Sequence, residues 1–334
     1  MTTPRLDAEP YYEPGSEELR FLPECPRVLR NYPGGARLGW VAIQHSAQVR
    51  EGSINVLDLS SRRNQSFPLP GRPGFFAETT QPGCVLIGLE RRLVYFDLLT
   101  GHLEETGIQI TNDERVIIND GLAVDGGVLF GTKDLTFSQP IAALYYFDFA
   151  AQALHTVFGG QTCSNGKFLR RDADGATLID IDTTPKAITR YRLDAKLERV
   201  IERSPITPAD SLPALPDGLR PSPGDENTPD GESVIVAFYN PEAVADGVAR
   251  QLRVSDGAVL CEWRIPGSPR VTCPEFVEID GKVKLVFTTA VENMPAATRR
   301  LAPGAGVLYL AETLFDKTPA APPLVPFPYP SALL

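Results

Sequence analysis

Four residues of the 334-residue sequence have the types and spacing to do chemistry together: Glu24 in PECPRV, Asn119 in INDGLAV, Asn165 in SNGKFL and Asp217 in PDGLRP. The last three are 46 and 52 residues apart, and each leads through a nearby glycine toward an apolar run. Brought to one point, two carboxylates and two amides make an all-oxygen cluster with a formal charge of about −2, suited to a hard divalent cation such as calcium, magnesium or manganese. Without a cation the carboxylates would repel each other and lose hydration. Taken alone, an Asn-Gly or Asp-Gly pair is a turn in which glycine supplies the positive φ. The recurrence is what gives the set its weight.

Other catalytic signatures are missing. The chain has no G-x-x-x-x-G-K-[ST], no G-x-G-x-x-G after a strand, no G-x-S-x-G and no H-E-x-x-H. DADGATLIDID lacks the spacing of a calcium loop because Gly175 follows Asp172 and Asp174 too soon, so it reads as a hairpin turn. His45, His102 and His155 stand in unrelated strand-edge contexts. The five cysteines, at 25, 84, 163, 261 and 273, have no C-x-x-C spacing and read as buried free thiols. Glu78, Gln81, Asp134, Tyr239 and Asn240 are further candidates for lining a pocket. Glu78, flanked by apolar residues in FFAETT, needs a partner, and an ion pair at a sheet edge is the expected one.

The elements that would position these residues have a period of two. RLGWVAIQ, SINVLDLS, GCVLIGLE, RLVYFDLL, GGVLFGT, AALYYFDF, ATLIDIDT, AITRYRLD, SVIVAFYN, VARQLRVS, AVLCEWRI, VKLVFTTA and GVLYLAE all read as strands, separated by turns such as DGG, SDGA and IDGK. With Gly 28 and Pro 31, the chain is too heavily punctuated for a helical bundle, and EELRFL and ETLF are the best short helices. The recurrence of about 46 to 55 residues is that of a four-stranded propeller blade. The fold class is therefore all-β, a propeller of four-stranded antiparallel blades in which each unit opens with a polar loop and dives into an apolar innermost strand. Loops of that kind converge on one end of a central channel, which would bring Glu24, Asn119, Asn165 and Asp217 together. Residues 1–19 read as an irregular arm, 20–315 as a single domain, and 316–334 as a proline-rich extended tail held on the body by Phe327 and Tyr329.

The charge balance, 42 acidic against 32 basic residues for a net charge of −10, disfavours nucleic acid and anionic membrane surfaces as partners. No apolar run approaches the ~20 residues of a membrane span, and the acidic, proline-bearing start lacks the pattern of a signal peptide. A cytoplasmic location is expected.

In order and spacing, PECP before RLGWVAI, INDGLAVDGGVLFGT, SNGKFL before IDT, and PDGL before VAFYN closely resemble the regucalcin (senescence marker protein), gluconolactonase and luciferin-regenerating family of six-bladed β-propellers, from about Arg20 to Glu312. The resemblance implies that Glu24, Asn165 and Asp217 hold one catalytic divalent metal ion, calcium foremost, with magnesium, manganese, zinc and iron(II) as alternatives. It also implies that Asn119, with Asp120 beside it, lines the substrate site. Two departures stand out: PE replaces the family's GE, and Ile117 occupies the position of a substrate-contacting arginine. Loss of that arginine removes a donor to sugar hydroxyls and leaves the metal ligands intact. The insertion RPSPGDENTPDGES after Asp217 lengthens a hairpin.

The implied activity is metal-dependent hydrolysis of a lactone, a sugar lactone by family and a less polar one by Ile117. The metal would act as Lewis acid on the carbonyl, with Asp217 orienting or deprotonating water and Asn119 beside it. An esterase or organophosphate hydrolase on the same metal, and a non-catalytic metal- or ligand-binding protein, are the other readings.

Overall fold

A computed structural model describes residues 3–44, 50–225 and 228–327. After β1 (Arg5–Tyr12) come β2 (Pro23–Leu29), β3 (Arg37–Ile43), β4 (Gly52–Leu57) and β5 (Asn64–Leu69), then β6 (Pro73–Glu78), β7 (Cys84–Leu89), β8 (Arg92–Asp97) and β9 (Leu103–Gln109). They are followed by β10 (Val116–Val124), β11 (Gly127–Asp134), β12 (Ala142–Asp148) and β13 (Ala153–Gln161), then β14 (Ser164–Asp172), β15 (Gly175–Asp182), β16 (Ala187–Leu193) and β17 (Val200–Pro205). The last group is β18 (Leu215–Pro221), β19 (Ser233–Tyr239), β20 (Gly247–Arg253), β21 (Val259–Ile265), β22 (Val271–Ile279), β23 (Lys282–Thr289) and β24 (Leu308–Glu312).

The fold is all-β. Strands β2–β5, β6–β9, β10–β13 and β14–β17 form four antiparallel sheets of four strands each. The remaining eight form one mixed sheet in the order β18-β19-β20-β21-β1-β24-β23-β22, because β1 runs parallel to β21 and antiparallel to β24. The stretch expected to be an irregular arm thus carries a strand that joins two groups of four. Every strand quoted from the sequence is present. Helix α1 (Glu17–Phe21) falls within EELRFL, where the Ser16 hydroxyl accepts the Leu19 N–H at 3.4 Å as an N-cap. ETLF is not helical; the second helix is α2 (Ala296–Leu301).

Strands β2, β6, β10, β14, β18 and β22 each lie at a sheet edge and pack side by side in a cycle, β2 against β6, β6 against β10, and so on through β22 back to β2. All six have a break in register with the next strand. This corrects one expectation. The polar-Gly segments are not loops preceding the inner strands; they are the inner strands, with a β-bulge where the polar pair sits. A bulge sets two residues against one and turns a side chain out of the regular alternation.

The glycines follow a different logic from that of a turn. Neither Gly121 nor Gly218 has a positive φ. A Cβ at Gly121 would lie 2.6 Å from the Phe75 ring, and one at Gly218 would lie 2.5 Å from the Cys273 sulfur. Close approach between neighbouring inner strands demands them.

The tail lies on the body through residue 327. Val325 bridges to Thr79, the Tyr95 hydroxyl donates to the Pro326 carbonyl at 2.8 Å, and the Tyr95 and Phe327 rings meet edge to face at 4.9 Å. Tyr329 and His45 lie outside the described residues. All five cysteines are free and buried, and DADG makes the expected hairpin turn between β14 and β15, where Asp172 pairs with Gly175. Among the described residues no helix is long and apolar enough to cross a membrane.

Candidate metal centre and active site

The bulges of the inner strands decide where the polar side chains go. In β10 Asn119 and Asp120 stand between the paired positions Ile118 and Gly121; in β14 Asn165 and Gly166 stand between Ser164 and Lys167; in β18 Asp217 and Gly218 stand between Pro216 and Leu219. In β2 Glu24 is the last paired residue before the break, and Cys25 after it takes a left-handed φ of 46°. Breaks on four sheets therefore aim Asn119, Asn165 and Asp217 from within them, and Glu24 from the edge of its own, into one cavity of about 400 Å³.

Inside it, Asn165 Nδ2 donates to Asp217 Oδ1 and to Thr183 Oγ1, the latter at 3.2 Å. The Thr183 hydroxyl donates onward to the Pro216 carbonyl at 2.9 Å. Asn119 Nδ2 donates to the Ser164 carbonyl at 3.0 Å. Glu24 Oε2 accepts the Cys25 N–H at 3.1 Å. Behind the cavity, Lys167 donates to the Asn165 carbonyl and to the Asp120 carbonyl, the latter at 3.3 Å, and so braces the bulges of β10 and β14.

Two carboxyls here are strongly perturbed. Burial, reinforced by the Asp120 charge, pushes Glu24 up to about 8. Burial, reinforced by the Glu24 charge, pushes Asp217 well above the carboxylate range. In both cases Lys133 pulls the other way. Two desolvated acids, with the charge of Glu24 raising Asp217 further, are the donor set a hard cation stabilises. Among the described residues no three His, Cys, Asp or Glu side chains gather as a metal cluster; this set depends on the Asn165 amide as its third donor. Cys163 lines the same cavity, and burial pushes its thiol up to about 12, which disfavours the thiolate that a soft metal would need.

The other candidates divide. Tyr239 lines the cavity, its hydroxyl donating to Glu292 Oε2 at 3.2 Å. Ile117 is buried at 2 % exposure and Asp120 faces Lys167 at 3.5 Å; neither is in the lining. Glu78, Gln81, Asp134 and Asn240 are elsewhere. Glu78 accepts the Asn31 N–H at 2.6 Å, a backbone partner in place of the expected ion pair. Burial opposes ionisation of Asp134, but hydrogen bonds from Thr136, Gln139 and Ser138 outweigh it and hold the carboxyl well below its usual range, as a loop organiser. Reading the sequence missed Lys133, Thr183, Arg270 and Glu292, all of which line the cavity. A second cavity, of about 450 Å³, lies under tail residues Thr318–Pro323. Its inner charges satisfy one another, with Glu275 3.0 Å from Arg220 and 3.7 Å from Arg27.

A family model described as the SMP-30/Gluconolactonase/LRE-like region matches residues 22–291. The chain belongs to this family. A structure titled as the calcium-binding protein regucalcin from Agrobacterium tumefaciens is similar at 19% identity, covering 97% of this chain and 99% of that one with a TM-score of 0.75. A luciferin-regenerating enzyme is similar at 18% identity over 95% of this chain and 100% of that one, TM-score 0.74. A gluconolactonase from Xanthomonas campestris is similar at 16% identity over 89% and 87%, TM-score 0.55. At such identities the likeness establishes the fold that this family member shares with them. Comparison with curated proteins found no match.

Proposed function

We propose that this family member is a divalent-metal-dependent lactonase on a six-bladed propeller of four-stranded blades. The cycle of six inner strands supports the blade count, with β1 completing the last blade as its outermost strand. The observation that carries the functional reading is the convergence of Glu24, Asn165 and Asp217, from three different sheets, in one cavity.

Glu24, Asn165 and Asp217 would hold the ion. Their all-oxygen character favours calcium, with magnesium or manganese next, over zinc. Bound there, a divalent ion supplies Lewis acidity to a carbonyl oxygen and charge stabilisation to the oxyanion formed when water adds. The protein's own groups do the rest. Asp217, anchored by the Asn165 amide, orients the attacking water and takes its proton. Asn119, on the neighbouring bulge, presents its amide at the same wall. Glu24 keeps the site anionic. The ring C–O bond breaks, and the alkoxide leaves as it gains a proton, giving a hydroxy acid.

The test is proton release by metal-stripped protein on a lactone panel from aldonolactones to alkyl lactones, with calcium, magnesium, manganese, zinc and iron(II) restored singly. Metal-restored turnover that vanishes in Asp217→Ala supports the reading. Tight metal binding with every lactone inert would overturn it. That outcome would leave a non-catalytic calcium-binding role, the second reading, in line with the calcium-binding regucalcin of Agrobacterium.

A further inference from the structure

Lys133 and Ile117 are register partners across β10 and β11. Ile117 is sealed in the core, whereas Lys133, only 4% exposed, lines the cavity beside Glu24 and Asp217. A second cation enters from the far wall. Arg270 is also 4% exposed and lies over the Tyr239 ring at 5.4 Å. It donates to the Glu292 and Pro241 carbonyls, yet its buried Nε has no hydrogen-bond partner among the described residues. That N–H is itself sealed from solvent, so what the guanidinium offers a ligand in the cavity is its positive charge.

The charges follow from there. The lining holds three carboxylates, Glu24, Asp217 and Glu292, and two cations, Lys133 and Arg270. When Glu24 and Asp217 are compensated by a divalent ion, the cavity is left with one surplus positive charge. A neutral polyhydroxylated ring has no use for that surplus, and the apolar part of the wall, Leu22, Ile43, Phe137 and Leu215, offers nothing to many hydroxyls. A monoanionic carboxylate matches the surplus, while a phosphate monoester would bring close to two charges. A carboxylate also presents the acceptor geometry that an ammonium and a guanidinium favour.

We propose that the site selects lactones bearing a carboxylate on a sparsely hydroxylated ring, with Lys133 and Arg270 as the recognising pair. The proposal rests on the lactonase reading and names its substrate class.

The test uses the calcium-loaded protein and two rings of the same shape: γ-butyrolactone carrying a carboxylate on the carbon that bears the ring oxygen, and the primary amide of that acid. The expected result is a kcat/KM at least about tenfold higher for the carboxylate, carried mainly by KM. Lys133→Met should collapse that ratio and Lys133→Arg should retain most of it. The ring-opened dicarboxylate is titrated separately by calorimetry into wild type and both variants, with thermal melts to check folding. Equal kcat/KM for the two rings in wild type would overturn the proposal and leave the lactonase standing. Inert rings with Lys133-dependent binding of the dicarboxylate would overturn the lactonase and keep the recognition pair. Inert rings and no binding would overturn both.

Discussion

Asn165 and Asp217, 52 positions apart on neighbouring inner strands, are joined by a hydrogen bond from amide to carboxylate. The bond fixes the edge of the proposed metal centre, and it separates the charge of Asp217 from its shape. Asp217→Asn keeps the shape and an acceptor for Asn165. It also removes a buried acid that desolvation and the Glu24 charge both push up. Metal-free Asp217→Asn should therefore melt higher than metal-free wild type, while its calcium affinity falls by about 100-fold or more, since affinity follows the number of charged ligands. Thermal melts and calorimetry measure the two effects on the same sample.

Calcium binding should expel protons. Glu24 is pushed up to about 8 by burial and by Asp120, so at neutral pH most of it is protonated before the ion arrives. Below about pH 8 calcium and protons compete at Glu24, and affinity should climb about tenfold per pH unit for each proton displaced. Titration at pH 7 in two buffers of different ionisation enthalpy reads the released proton directly.

Asp180 sets a different pH dependence, in stability. It is buried behind the site, accepts from Gln161 Nε2 at 2.6 Å and from Ser164 Oγ at 3.2 Å, and burial pushes it up to about 7 from 3.8. A folded-state value above the unfolded one means that its contribution is fully present below about pH 4 and is lost as pH rises toward 7. Asp180→Asn removes that loss. The stability difference between variant and wild type should shift by a few kcal/mol in the variant's favour between pH 4 and 8, read from urea midpoints across that range.

The packing glycines should be intolerant. Gly121→Ala drives a methyl into the Phe75 ring, and Gly218→Ala drives one into Cys273. Each should cost about 1–3 kcal/mol and shift the adjacent bulge, lowering calcium affinity as well as the melting temperature. An unchanged affinity in Gly218→Ala, next to Asp217, would count against the bulge as the device that aims the ligand.

Half-buried and fully buried strands were legible in the sequence because their apolar runs are short, β-branched and bounded by turns; CVLIGL and SVIVAFY are examples. The inner strands were not. VIINDGLAV and LPDGLRP break alternation with a polar pair at the bulge, and β2 adds a proline, so they resemble loops. Outer strands such as LEETGIQ are largely solvated and carry no apolar signal. Asn119, Asn165 and Asp217 could be found because each is the first residue of a bulge, and Glu24 because it stands at the edge of the corresponding break in β2. Lys133 could not, since GTKD reads as the wet end of a hairpin. The one usable signal was period: Lys133 shares a face with Leu129 and Gly131, both on the buried run of β11.

Strand β1 lies between β21 and β24. Residues 5–12 are synthesised long before the strands that receive them, which end at residues 265 and 312. Strand β1 must therefore wait, unpaired within its sheet, until β21 has been made, and it gains its second neighbour only with β24. A chain truncated before residue 308 would leave β1 without one of its two neighbours.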